Sequence, residues 1–217
     1  MAIADYDTLL AAVQRANARS NSAFVAALPD FVGMAEDRLY HGFGVEGEPL
    51  HSPPLRSSMM EATGTITLTG GDGTLPDDYL SMRKLTRSGD QRGLTYLTPE
   101  RADVELASSN VADTPVWYTI SGRTITVVPS WDGDLAALYY RRFDPVTTAN
   151  KTGDLIVAHG YLYFEACMVE AMAWQMATDL ALAHAAKLRG MLQGVNKSAY
   201  DLRFSGPLRT RQRVYIP

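Results

Sequence analysis

The chain has 217 residues, 46% of them hydrophobic and 20% charged, a composition that supports a real core and excludes global disorder. The net charge of −4 argues against a dedicated nucleic-acid binder, yet the stretch from Leu202 onward holds four arginines and no acid, so removing that +4 leaves −8 for the rest. A single cysteine, Cys167, sits in an apolar run as a buried, inert thiol and excludes an intramolecular disulfide.

In chain order, Asp5 or Asp7 caps a first helix with Leu9, Val13 and Ala16 at helical spacing. Pro29 suits the first turn of a second helix, in which Phe31, Ala35 and Leu39 repeat every four residues. Gly42, Gly44 and Gly47 end it, and 48–54 is a proline-bearing loop. The period then changes to two: Thr65, Ile66, Thr67, Leu68 and Thr69 alternate as a half-buried strand does. Further strands are predicted at 79–86, 94–97, 117–121, 124–128 and 135–142, with Gly122-Arg123 as a two-residue hairpin connection. Thr98 and Pro99 open a short helix to about Leu106. These candidates are expected to form one antiparallel sheet of about five strands.

The period returns to helical after Asp154. Residues 156–177 are apolar nearly all round, the mark of a helix buried on several sides. Asp179 is placed to cap the last helix, and Gly190 and Gly194 are spaced for close approach by another backbone. The fold class is therefore α+β: a helical bundle from N- and C-terminal helices, an inserted antiparallel β-domain and an extended C-terminal tail. The expected divisions are 1–50, 58–145, 150–203 and 204–217.

Signals for chemistry are sparse. Gly42-Phe43-Gly44-Val45-Glu46-Gly47 formally matches a dinucleotide fingerprint, but that mechanism needs a strand before it and a helix after it, and here a helix precedes and prolines follow. The four histidines (His41, His51, His159, His184) lie at no zinc-ligand spacing, and Asp72, Asp77 and Asp78 read as turn chemistry. Glu165 and Glu170, five apart, share no helix face and make a poor acid–base pair. Neither a nucleophile elbow nor a Walker loop is present in the sequence. The expectation is a protein with no catalytic residues, metal or cofactor. No signal peptide is read at the N-terminus, and Glu165, Glu170 and Gln175 break the apolar stretch, which argues against a membrane span.

The positive signal is the tail. Arginines at 203, 209, 211 and 213 alternate with polar and apolar residues, and Phe204, Leu208, Val214, Tyr215 and Ile216 supply bulk that a disordered tail usually lacks. Fully extended, residues 204–217 would reach roughly 45 Å. Arg203, Phe204, Leu208, Arg209, Arg211, Arg213, Val214, Tyr215 and Ile216 are therefore the candidate partner-binding residues, ordering on a neighbour by strand addition or by pairing arginines with acids. A second reading is a nucleic-acid-binding module that uses the same four arginines and weakens steeply with salt.

Four segments, in order, carry a family resemblance: Tyr6-Asp7-Thr8-Leu9-Leu10 running to Pro29-Asp30-Phe31; Leu75-Pro76-Asp77-Asp78-Tyr79-Leu80; Leu138-Tyr139-Tyr140-Arg141-Arg142 followed by Leu155-Ile156-Val157; and Arg203-Phe204-Ser205-Gly206-Pro207-Leu208. In these the chain resembles the head-to-tail adaptor (connector) proteins of tailed bacteriophages. The resemblance implies a structural virion protein at the head–tail junction, assembled in the host cytoplasm, in a ring of typically twelve copies. It also implies a C-terminal tail docked on the portal protein, a surface that receives tail or nozzle proteins, and double-stranded DNA passing through the channel without specific binding. No membrane partner is implied.

Overall fold

In the computed structural model, which describes residues 3–108 and 114–203, the chain is helical toward both ends of the sequence and β-rich between them. The helices are α1 (Tyr6–Ala16), α2 (Ser22–His41), α3 (Pro99–Ser108), α4 (Asp154–Trp174) and α5 (Thr178–Arg203). The strands are β1 (Glu61–Leu68), β2 (Asp72–Thr74), β3 (Tyr79–Arg87), β4 (Thr95–Tyr96), β5 (Trp117–Ser121), β6 (Thr124–Val128) and β7 (Gly133–Arg141). This is the α+β class that the change of period predicts, with helices flanking an inserted β-domain. The chain divides into two compact units, Met1–Ser58 with Phe143–Pro217, and Met59–Arg142.

In the helical unit, α1 starts at a capping box. The Asp5 carboxylate accepts from the Thr8 amide at 2.8 Å while Thr8 Oγ1 accepts from the Asp5 amide, so two end groups without helical partners are satisfied at once. Tyr6, Leu9, Ala12 and Val13 then fall on one buried face. The start of α2 differs from the expected one. Asn21 caps it, accepting from the Phe24 amide at 3.2 Å, and Pro29 lies inside the helix rather than in its first turn. Phe24 and Leu28 already occupy buried helical positions ahead of the proline, and Pro29 itself is exposed, so its ring points into solvent and only the bond to the Val25 carbonyl is lost.

α4 runs through the middle of this unit and packs against α1, α2 and α5. Leu155, Ile156, Leu162, Tyr163, Ala166, Cys167 and Val169 are buried, and each fully buried large apolar side chain stabilises by about 1.5–3 kcal/mol. By length and composition α4 would suit a bilayer, but two thirds of its apolar stretch is buried within the protein, as in a core helix. It bends at His159, whose φ of −134° and ψ of 42° are not helical. At the next residue, Gly160, an added Cβ would collide with the carbonyl oxygen of Ile3.

α5 begins at Thr178, so Asp179 belongs to its first turn instead of capping it. Its buried stripe is Ala181, Ala185, Leu188, Leu192 and Ala199. Gly190 and Gly194 lie off that stripe, and a Cβ at either meets nothing within 4 Å. Close backbone approach within the chain is not their role.

The β unit holds two sheets where one was expected. β1, β7 and β3 form an antiparallel sheet in the order β1-β7-β3; the other runs β2-β6-β5-β4, with β4 parallel to β5. The predicted strand at 94–97 pairs only over Thr95–Tyr96. Alternation along a strand says which face is buried but not which strand lies beside it. The inner faces meet in a core that includes Ile66, Leu68, Leu85, Ile125, Val127 and Leu135. Gly122, at φ +61°, makes the tight turn between β5 and β6 as the sequence predicts. α3 packs on β5 and β6.

Candidate partner-binding surfaces

Of the predicted tail residues, Arg203 closes α5, while Phe204, Leu208, Arg209, Arg211, Arg213, Val214, Tyr215 and Ile216 lie outside the described residues. What the structure does define is the support for the helix that leads into them. Arg189 donates to the backbone carbonyls of Pro49 at 2.6 Å and His51 at 2.9 Å. Asn196 donates to the Pro54 carbonyl at 2.9 Å and accepts from the Arg56 amide at 2.7 Å. These bonds tie α5 to the loop after α2. Its last turns expose Tyr200 and Leu202, so apolar surface continues up to the start of the tail.

The same loop explains the glycine-rich run. Gly42 ends α2 at φ +77°, where a Cβ would press on Ser52 and Pro54, and Phe43 pairs with Ser52 across the loop. Arg38, 5% exposed, stacks over the Phe43 ring at 4.0 Å and donates to the Leu50 carbonyl at 3.2 Å. The run is thus packed against the helix that precedes it and opens no helix N-terminus toward a phosphate.

Several of the remaining candidates are separately engaged. His51 Nδ1 lies 3.0 Å from the Phe43 carbonyl, and His184 Nδ1 lies 2.7 Å from Glu165. Asp72 accepts from Thr126, Asp77 pairs with Arg123, and Asp78 accepts from Tyr139. Among the described residues no group of three or more His, Cys, Asp or Glu is placed to hold a metal ion. The Cys167 thiol is buried, and that burial pushes its pKa well above the ordinary thiol range.

The chain also presents apolar surface that the sequence reading did not single out. Val157 and Tyr161 are exposed on α4, Val25 and Met34 on α2, and Met176 and Leu180 at and just after the α4–α5 turn. The run 156–177 reads as apolar all round, which marks α4 as buried but hides the positions that its neighbours leave uncovered.

No curated protein matches the chain. The SU10 adaptor protein family matches residues 4–211, a span that takes in all the described helices and strands. The chain therefore belongs to the SU10 adaptor protein family, which is a family of structural phage adaptors and not of enzymes, and is a virion component.

Proposed function

We propose that the protein is the head-to-tail adaptor, or connector, of a tailed phage: a subunit of a ring, typically of twelve copies, that docks on the portal through its C-terminal tail, extends the DNA channel and provides the surface to which the tail attaches. The family match over residues 4–211 carries this reading. The distribution of charge supports it. A body of net charge −8 before the basic tail repels duplex DNA and lets it slide past, while four arginines among bulky apolar residues suit a segment that orders on another polypeptide. The exposed Tyr200 and Leu202 extend that adhesive chemistry back onto α5.

The test is a chain ending at Arg203, compared with the full chain for thermal stability and for capture by purified portal. The shortened chain is expected to melt at the same temperature and to lose portal binding. Undiminished portal binding, or a melting temperature that falls along with binding, would overturn the docking role, the latter because the tail would then belong to the subunit's own core.

A further inference from the structure

α1 and α4 leave between them an open groove of about 300 Å³ lined by Ile3, Ala12, Ala16, Tyr161 and Phe164, with Arg15 at its rim. Tyr161 is 57% exposed, and Val157, one turn earlier on α4, is exposed beside it. Arg19, just past the end of α1, borders an adjoining depression that shares Arg15. In a body that is acidic overall, this groove is apolar with a cationic edge.

The outward face of α2 has the opposite character. Met34 projects from it, 51% exposed, with the exposed Asp30 one turn before it on the same side, while Val25, Pro29 and Gly33 follow a separate line along the other edge of that face. Its charge is negative: Asp30 is exposed there, and the first basic residue of the helix, Arg38, is buried and turned to Glu170. An apolar side chain standing out from a helix face is the shape that a groove between two helices accepts. One chain thus carries an apolar groove edged by arginine and a methionine-bearing ridge edged by aspartate, and complementary charge of this kind sets which surfaces meet and in what register.

We infer that the α1–α4 groove receives the α2 face of a second copy of this chain, with Met34 entering beside Tyr161 and Asp30 pairing with Arg15. The two surfaces differ, so the contact is heterologous: every copy uses its groove on one neighbour and its ridge on the other, and the series closes when the rotation per step divides a full turn. The inference rests on the ring reading above and supplies the contact that such a ring requires.

The experiment places Met34→Cys and Tyr161→Cys, singly and together, in the full chain supplied during particle assembly, and treats isolated particles with a short bismaleimide. Cys167 is buried and contributes no background. The doubly substituted chain is expected to give a ladder of dimers, trimers and higher species, each single variant only monomer, and a mixture of the two single variants only dimers. An amine-reactive cross-linker on the same particles reports whether copies adjoin at all. A ladder with the amine reagent but none with bismaleimide overturns this interface and leaves the ring intact. Absence of both ladders overturns the ring, and this contact with it. Coupling of a single variant to itself overturns the heterologous geometry.

Charge exchange gives an independent reading. Arg15→Glu or Asp30→Arg alone is expected to lower incorporation into particles by about tenfold or more, and the two together to restore it to within about threefold, because like charges facing each other repel and the exchanged pair attracts again. Persistent loss in the paired variant would overturn the assigned partnership.

Discussion

Glu165 and Glu170 stand five residues apart on α4 and reach different neighbours: Glu165 lies 2.7 Å from His184 and from Lys187 on α5, whereas Glu170 lies 2.7 Å from Arg38 on α2. The carboxylate pair in the apolar run of this helix is thus divided between two helix–helix contacts and serves packing.

The two contacts should differ sharply in worth. The Arg38 side chain is almost wholly buried, and removing its partner would strand a guanidinium away from water, so Glu170→Ala is expected to cost about 3–5 kcal/mol. Lys187 is largely exposed and its pair is screened by solvent, so Lys187→Ala is expected to cost less than about 1 kcal/mol. Urea denaturation of both variants checks the order, and equal losses would show that the Arg38 pair is not what holds α2 to α4.

Gly160→Ala tests the bend in α4. The new Cβ would meet the Ile3 carbonyl oxygen and side chain, and backbone is costly to displace, so a loss of about 1–3 kcal/mol is expected in thermal melts. Deleting residues 1–4 removes the obstacle, and the same substitution should then be close to neutral. A loss of equal size in the shortened chain would place the cost in the helix itself.

These relationships also mark what the sequence reveals and what it hides. Local signals were legible: the Asp5 cap, the Gly122 hairpin, the Pro99 helix start, and the switch from helical to alternating period and back, which gave the α+β class. Non-local ones were not. The two sheets, the parallel β4–β5 pair and the Arg38–Glu170 contact join residues far apart in the chain, and no periodicity encodes a partner. Pro29 misled because proline is favoured at helix starts, while an exposed proline inside a long helix gives up one hydrogen bond and little else. The groove went unread because an apolar residue at a buried and at an uncovered position of α4 looks the same in sequence.

His159, at the bend of α4, gives a pH dependence of definite sign. Burial lowers its pKa below the ordinary histidine value of 6.5, so the unfolded chain takes up the proton first as the solution is acidified. Its contribution to stability is present above about pH 6.5 and is lost as pH falls from there through the folded value. His159→Gln should flatten that part of the stability curve between pH 7 and 5. An unchanged slope would mean that the imidazole titrates alike in both states.

At the alkaline end the same logic runs through Tyr163. Its hydroxyl donates to Glu36 at 3.1 Å inside the helical unit, while the Val146 amide donates to the same Glu36 oxygen at 2.8 Å. Burial chiefly, and then the neighbouring Tyr40 and Glu36, push the Tyr163 pKa far above the ordinary tyrosine value. The unfolded chain releases this proton near pH 10 and the folded chain does not, so stability falls as pH rises through about 10. Tyr163→Phe deletes the hydrogen bond to Glu36 and should cost about 1 kcal/mol at neutral pH. It also deletes a group whose titration favours unfolding, so its stability should decline less steeply between pH 9 and 11 and the two curves should converge. Tyr6, Tyr79, Tyr118 and Tyr139, raised by burial as well, keep a residual slope in both proteins. Denaturation midpoints measured across that range decide the matter: parallel curves would show that Tyr163 ionises as readily folded as unfolded, and that the Glu36 contact does not hold its proton.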